Sequence, residues 1–473
     1  MPYFLTENFS AGIDTRKHPI TAPSGTLREL LNCHITPGGE IEKRLAFVEA
    51  FNVSGSLTNS LMRVGTVIYV VSGNANPDET YGDLTLRYIT GPTLGGKELL
   101  DWDVFDGRLY FTVITTADGT VEHYYQDAVD GVTASVVPDG KGAYIRTYQS
   151  KMYAVQNQTI YYSAVGDPTD WTTTANGAGF INAATNDAEA VDLQGIEVYY
   201  DKLAIFSSRA IQIWNMDPDP ENNAQDQTVR SIGVAGRATP RQYGPGDILF
   251  LAPSGIRSLQ ARDSSNSASV SDVGSPIDLD IQTKIEMDPA GVLVNARTML
   301  EDLTGRFWMM FSDEIFVLSL FPGPRVSAWS RYMPTHSGDT PFTPEDLVDA
   351  AGYVCVRASN GRIYVLGGED RFTYDNCTAE FQMPYLGFEK PANWKQYLGF
   401  DAAVDGTWDI EFSLDPDNIV WEEIGTITKS TYCDQRIAFR GYSPACSIKM
   451  RSTFAGRARV ANVALHYSLS KDD

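Results

Sequence analysis

Apolar residues in this chain fall in short runs separated by brief polar breaks, and the runs come in pairs. The clearest pair lies in Asp201–Met216, where Leu203–Phe206 and Ala210–Trp214 flank Ser207-Ser208-Arg209. Each run carries β-branched or aromatic residues and is too short for a helix, so the pattern predicts a β-hairpin. Both faces of the first run are apolar, with Leu203 and Ile205 on one side and Ala204 and Phe206 on the other. Such a strand is covered on both faces, as when small sheets stack.

The same unit recurs. Val67–Val71 with Leu84–Ile89, Arg108–Ile114 with Thr120–Tyr125, and Met152–Val155 with Thr159–Tyr162 all read as hairpins. So do Ile248–Leu251 with Ile256–Leu259, Phe307–Phe311 with Ile315–Leu318, and Tyr353–Val356 with Arg362–Leu366. Breaks such as Ala117-Asp118-Gly119 and Pro253-Ser254-Gly255 supply the turn chemistry. The units repeat about every 40–60 residues, the spacing of four-stranded propeller blades. The pattern predicts an all-β fold, an irregular β-propeller of six or seven blades with one blade enlarged by an insertion. A single blade cannot bury both faces, but a closed ring of blades can. A large sandwich would repeat its strands more closely.

Three segments follow from this spacing. Residues 1–50 are turn-rich and read as a strap feeding the first sheet, with strands that join the propeller and the C-terminal platform-like domain and a short helix at Thr26–Leu31. Residues 51–370 hold the propeller. Residues 371–473 lose the hairpin spacing, and seven closely spaced runs from Phe381–Leu386 to Ala458–His466, Gln435–Phe439 among them, predict a small antiparallel β-sandwich. Thr343, Pro344, Glu345 and Asp346 carry N-cap, first-turn proline and first-turn acid signals, so Pro344–Ala350 is expected to be a helix. Asp217–Asp226 and Asp263–Ser275 read as polar excursions at blade edges.

Charge changes the picture. The formal net charge is −23, from 60 acidic and 37 basic residues, which argues against wrapping nucleic acid electrostatically. The five cysteines are scattered, odd in number and form no CxxC, so neither a disulfide framework nor a zinc site is expected and a reducing cytosol fits best. No secretory pattern opens the chain, and no apolar run approaches spanning length.

Candidate chemistry is sparse. Gly91–Lys97 spells GxxxxGK, but Glu98 stands where a magnesium-ligating hydroxyl belongs and the context is a loop between hairpins. No GxSxG or HExxH occurs, and His466 reads as a strand residue. Asp217, Asp219 and Glu221 alternate like a calcium loop, yet Asn222 and Thr228 replace the glycine and glutamate such a loop needs. Asp-box turns of sialidase-like propellers are approximated at Ser163–Trp171 and Ser413–Trp421 without their spacing. The expectation is a protein with no catalytic site, metal or cofactor. A sialidase-like or carbohydrate-binding propeller is the alternative.

Four stretches in order carry a family resemblance. They are Phe9–Arg44 with Phe9, Gly12, Asn32, Gly39 and Lys43-Arg44; Ile160–Trp171; Tyr200–Met216 with the following Gly233; and Phe250–Leu259. Together they resemble the tail-nozzle proteins of short-tailed bacteriophages, also called tail tubular protein B or packaged-DNA stabilisation protein. The resemblance implies a structural virion protein made in the bacterial cytoplasm and built into the tail. It implies a homo-hexameric ring of six-fold symmetry below an adaptor ring, holding tail fibres or tailspikes. It also implies a channel that retains double-stranded DNA without sequence-specific binding and opens for ejection. The chain resembles the compact branch, without an extended tip. An acidic wall would repel phosphates and leave DNA no sticking points. Asp217, Asp219, Glu221 and Asp226 are the candidate channel-lining acids, with an outward solvated acidic loop as the alternative.

Overall fold

The computed structural model describes residues 3–127, 131–185, 189, 191–261, 268–387, 393–433 and 436–469. Seven β-blades close into a propeller, and an antiparallel sandwich stands beside it. Blades one to six lie at Met62–Ile89, Lys97–Val136, Tyr144–Asn182, Leu193–Arg230, Arg241–Ser271 and Arg297–Tyr332. Blade seven runs outward through Pro344–Ala350, Tyr353–Ala358 and Arg362–Leu366, and Phe47–Asn52 then pairs on its outside. An N-terminal strand therefore closes the ring.

The predicted apolar runs are the second and third strands of their blades. In blades two to seven they pair antiparallel as expected. Blade one differs: Val67–Val71 and Leu84–Ile89 run parallel, because Glu79–Tyr81 forms the outer hairpin with the latter. The long segment between them lets the chain cross over instead of turning back. Blades stack through apolar faces, as the double-sided strand Lys202–Ser207 demonstrates. Leu203 and Ile205 pack toward blade three, and Ala204 and Phe206 pack toward Phe250 of blade five.

Two expected helices are strands. Thr26–Leu27 and Glu29–Leu31 join the strap to blade six and the sandwich. Pro344–Ala350 is the innermost strand of blade seven, paired with Tyr353–Ala358. Its capping signals lose to burial of a segment whose last residues are almost all sequestered. The insertion between blades five and six is helical instead, with α1 at Asp278–Met287 and α2 at Pro289–Asn295. Of the polar stretch 263–275, residues 263–267 lie outside the described residues, and Ala268–Ser271 is the outer strand of blade five.

One sandwich sheet contains Lys395–Asp405 and Arg459–Leu469, extended by Tyr3–Thr6, Ile41–Lys43 and Cys33–Ile35 from the N-terminal segment. The other contains Ala379–Gln382, Ser447–Ser452, Trp408–Ser413 and Glu422–Ile427, and it continues into blade six through Glu29–Leu31. The strap therefore joins both sandwich sheets and blades six and seven, as its strands were expected to join propeller and platform, but it does not feed the first blade. The expected strand at Gln435–Phe439 is reduced to a single bridge between Ile437 and Phe400, with Gln435 outside the described residues.

The buried charges of the strap lie at the junction of these bodies. Arg44 is fully buried; its Nε donates to Asn32 Oδ1 at 3.0 Å and its Nη2 to Thr335 Oγ1 at 2.8 Å. Asn32 Oδ1 also accepts from Met333 N–H at 2.9 Å, and its amide donates to Thr378 O at 2.7 Å. Lys43, equally buried, donates to Asp375 O and Phe454 O, both at 2.8 Å. Gly12 permits the strap to lie on blade six, since a Cβ there would stand 2.6 Å from Trp329 O at a φ of +59°. No helix among the described residues is long and apolar enough to cross a membrane.

Candidate functional site

The innermost strand of every blade faces a common axis, and these strands enclose a cavity of about 620 Å³. Its wall is charged. Arg63 comes from blade one, Asp101 and Asp103 from blade two, Arg146 from blade three and Glu197 from blade four. Arg237 comes from the connection into blade five and Arg241 from blade five itself, Arg297 and Asp302 from blade six, and Asp346 and Asp349 from blade seven. Alternation places these side chains on the axis while their neighbours enter the interblade cores.

Most of these charges are spent on one another. Arg146 meets Glu197 at 3.2 Å and Asp101 at 3.5 Å. Burial works against its charge, but Glu197, Asp101 and Asp103 outweigh that and hold its pKa above the ordinary value. Burial pushes the Asp101 and Asp103 carboxyls up, against the pull of Arg146. Both acids also latch blade three to blade two: Asp101 accepts from Ile145 N–H at 2.9 Å and Asp103 from Thr147 N–H at 2.5 Å. Arg237 pairs with Glu98, and Arg63 with Asp302 at 3.3 Å. Asp349 accepts from Asp302 N–H at 3.0 Å and Gly352 N–H at 2.7 Å. Asp346 accepts from Leu347 N–H, and burial raises its carboxyl to about 7.

The acids singled out from sequence lie elsewhere. Asp217 and Asp219 sit in the connection between the third and fourth strands of blade four, and Asp226 is on the outermost strand, Ala224–Arg230. None of them, nor Glu221, lines the axial cavity. Their carboxylates first serve their own loop: Asp217 accepts from Asp219 N–H at 2.8 Å and Asp219 from Glu221 N–H at 3.2 Å. Asp226 pairs with Lys202 at 2.9 Å. The axial residues escaped sequence reading because their strands lack an apolar signature. A charged residue shortly before each blade's first turn, such as Asp103, Arg146 or Glu197, was the available signal.

The remaining motifs have structural employment. Lys97 of the GxxxxGK stretch opens the first strand of blade two and pairs with Glu122. The Ser163–Trp171 turn follows the third strand of blade three, and its buried Trp171 donates to Pro168 O at 2.9 Å and packs edge-on to His123. His466 lies in a strand, as expected, 2.8 Å from Asp401, which also binds Thr431 and Arg436. Among the described residues no group of three or more His, Cys, Asp or Glu is disposed to hold a metal. Cys33, Cys355, Cys377 and Cys446 are free and buried.

No family model matches the chain, and no curated protein matches it. Solved structures similar to it include the C-terminal WD40 domain of Sif2, at 12% identity and a TM-score of 0.35, covering 69% of this chain and 97% of that one. BamB from Moraxella catarrhalis is similar at 9% identity and a TM-score of 0.35, over 69% and 95% of the two chains. A catalytically inactive virginiamycin B lyase from Staphylococcus aureus is similar at 8% identity and a TM-score of 0.35, over 58% and 96%. The likeness is one of fold alone, and the strand ladders themselves establish the β-propeller.

Proposed function

We propose that this protein is a non-catalytic component of a short phage tail, forming the distal nozzle ring that retains packaged DNA and opens at ejection. In this reading six copies form a closed ring in the virion after synthesis in the host cytoplasm. They seat below an adaptor ring, carry tail fibres or tailspikes, and let double-stranded DNA pass without base recognition.

The observation that carries the reading is the junction at Lys43 and Arg44. These residues belong to the N-terminal stretch that resembles nozzle proteins, and both are wholly buried between propeller, sandwich and strap. A wall that contains pressurised DNA must not hinge between its parts, and buried charge-assisted hydrogen bonds resist hinging. The strap's Gly12 and the closing strand Phe47–Asn52 tie the same elements together. The sialidase-like alternative would draw on axial carboxylates, but Asp101, Asp103 and Glu197 are held by Arg146 and backbone N–H groups. The acidic surplus supports passage of DNA without adhesion.

Labelling purified virions with a gold-tagged antibody fragment against this chain tests the reading. Label confined to the tail tip is expected. Virions free of the chain, or label on the capsid, would overturn it.

A further inference from the structure

The axial wall carries six carboxylates and five guanidiniums, but the pairing among them is uneven. Arg63, Arg146 and Arg237 each have a carboxylate partner. Among the described residues Arg241 has none within ion-pair distance and its buried Nε has no partner, while its Nη2 donates to Thr298 O at 3.2 Å. Arg297 is 94% buried, at 6% exposure, and gives its Nη1 to Val294 O at 2.6 Å and Ala296 O at 3.1 Å. Among the described residues its Nη2 has no partner, and the carboxylate of Asp346 stands 4.0 Å from Nε. The neutral form of Asp346 is favoured by burial, which makes it a weak counter-ion near neutrality. Burial, with Arg146 close to Arg241 and Asp346 only partly compensating Arg297, holds both guanidiniums below their ordinary pKa.

Two under-paired guanidiniums on adjacent blades, facing one cavity, form a surface suited to a planar or tetrahedral oxyanion. An arginine fork binds such groups through paired, charge-assisted hydrogen bonds. Leaving a buried cationic donor unmatched retains its full desolvation cost. We propose that the axial cavity holds one small oxyanion, a phosphate or carboxylate group, bound by Arg241 and Arg297 and joining blades five and six. The remaining acids of the wall, Asp103 and Asp349, exclude a second negative group and offer acceptors to hydroxyls attached to the first. The site is independent of the tail assignment.

The test is calorimetric titration of the purified full chain with inorganic phosphate and, separately, with acetate at matched ionic strength. Melting is followed in the same buffers. Saturable binding of either ion at one site per chain, with a rise in melting temperature, is expected. A phosphate-only response assigns a phosphate group and an acetate-only response a carboxylate. Arg241→Met keeps the aliphatic stem and removes the fork. It should weaken binding at least about tenfold, while melting no lower than wild type in anion-free buffer. Arg241→Lys, which keeps the charge, should also weaken binding and serves if the methionine variant does not fold. Absence of saturable binding of both ions to wild type, or unchanged affinity in the folded Arg241 variant, would overturn the proposal.

Discussion

Phe47 pairs with Leu366 in an antiparallel ladder, so a strand near the start of the chain forms the outer edge of the seventh blade. Its ring is buried with Trp308, Tyr332, Phe342 and Tyr364, and lies T-shaped to Phe342 at 5.6 Å. Closing a propeller with a distant strand ties ring integrity to one ladder. Phe47→Ala removes an aromatic ring from that core and should cost about 3–5 kcal/mol. Equilibrium urea unfolding, compared with an exposed control such as Phe180→Ala, measures it.

Arg44 and Asn32, bonded to each other within the strap, tie it outward through Thr335, Met333 and Thr378. Arg44→Met leaves Asn32 and Thr335 short of a buried donor, with an expected loss of about 3 kcal/mol. Because Lys43 still anchors Asp375 and Phe454, the protein should remain folded but become open to protease near residues 370–378. Mass spectrometry of limited digests reads the cut.

Two buried groups give opposite pH slopes. His123 is held neutral by burial, its pKa lowered to about 4, with Nε2 at 2.7 Å from Gly142 O. Stability it supplies above about pH 6.5 is lost as pH falls toward 4, by about 3 kcal/mol. His123→Gln should flatten that limb of a stability–pH curve.

Asp346 behaves in the other sense. Burial raises its carboxyl to about 7, so its contribution is complete below about pH 4 and is lost as pH rises through 7. Asp346→Asn should therefore gain stability relative to wild type as pH moves from 5 to 8. Denaturant midpoints across that range check both the sign and the size.

Gly233 shows why one residue of the resemblance is a glycine. A Cβ there would stand 2.2 Å from Ser207 O and 2.4 Å from the Ser208 carbonyl carbon, both backbone atoms of the blade-four hairpin. Gly233→Ala should cost about 1–3 kcal/mol, seen as a lowered melting temperature, whereas alanine at the open Gly95 should cost far less.

Much of the propeller was legible because its second and third strands are local hairpins of apolar runs. Met152–Val155 with Thr159–Tyr162 needs only a short turn between them. Three classes of element were not. Phe47–Asn52 pairs with Arg362–Leu366, a partnership no local pattern encodes. The innermost strands carry Asp101, Arg146, Glu197 and Arg241 toward the axis, so their alternation is polar and weak. Pro344–Ala350 has genuine helix-start chemistry, yet Leu347, Val348 and Ala350 are needed in two interblade cores. Tertiary burial decided that segment, as it decided Thr26–Leu31. The axial cavity stayed hidden for the same reason as its strands, since only ring closure brings these charges together.

Whether this chain forms the proposed distal ring is decided by a cryo-electron microscopy reconstruction of the intact tail. A terminal six-fold ring is expected, its subunit density fitting a seven-bladed propeller with its sandwich, locked at Arg44. A terminal ring of another symmetry, or one built from a different fold, would contradict it.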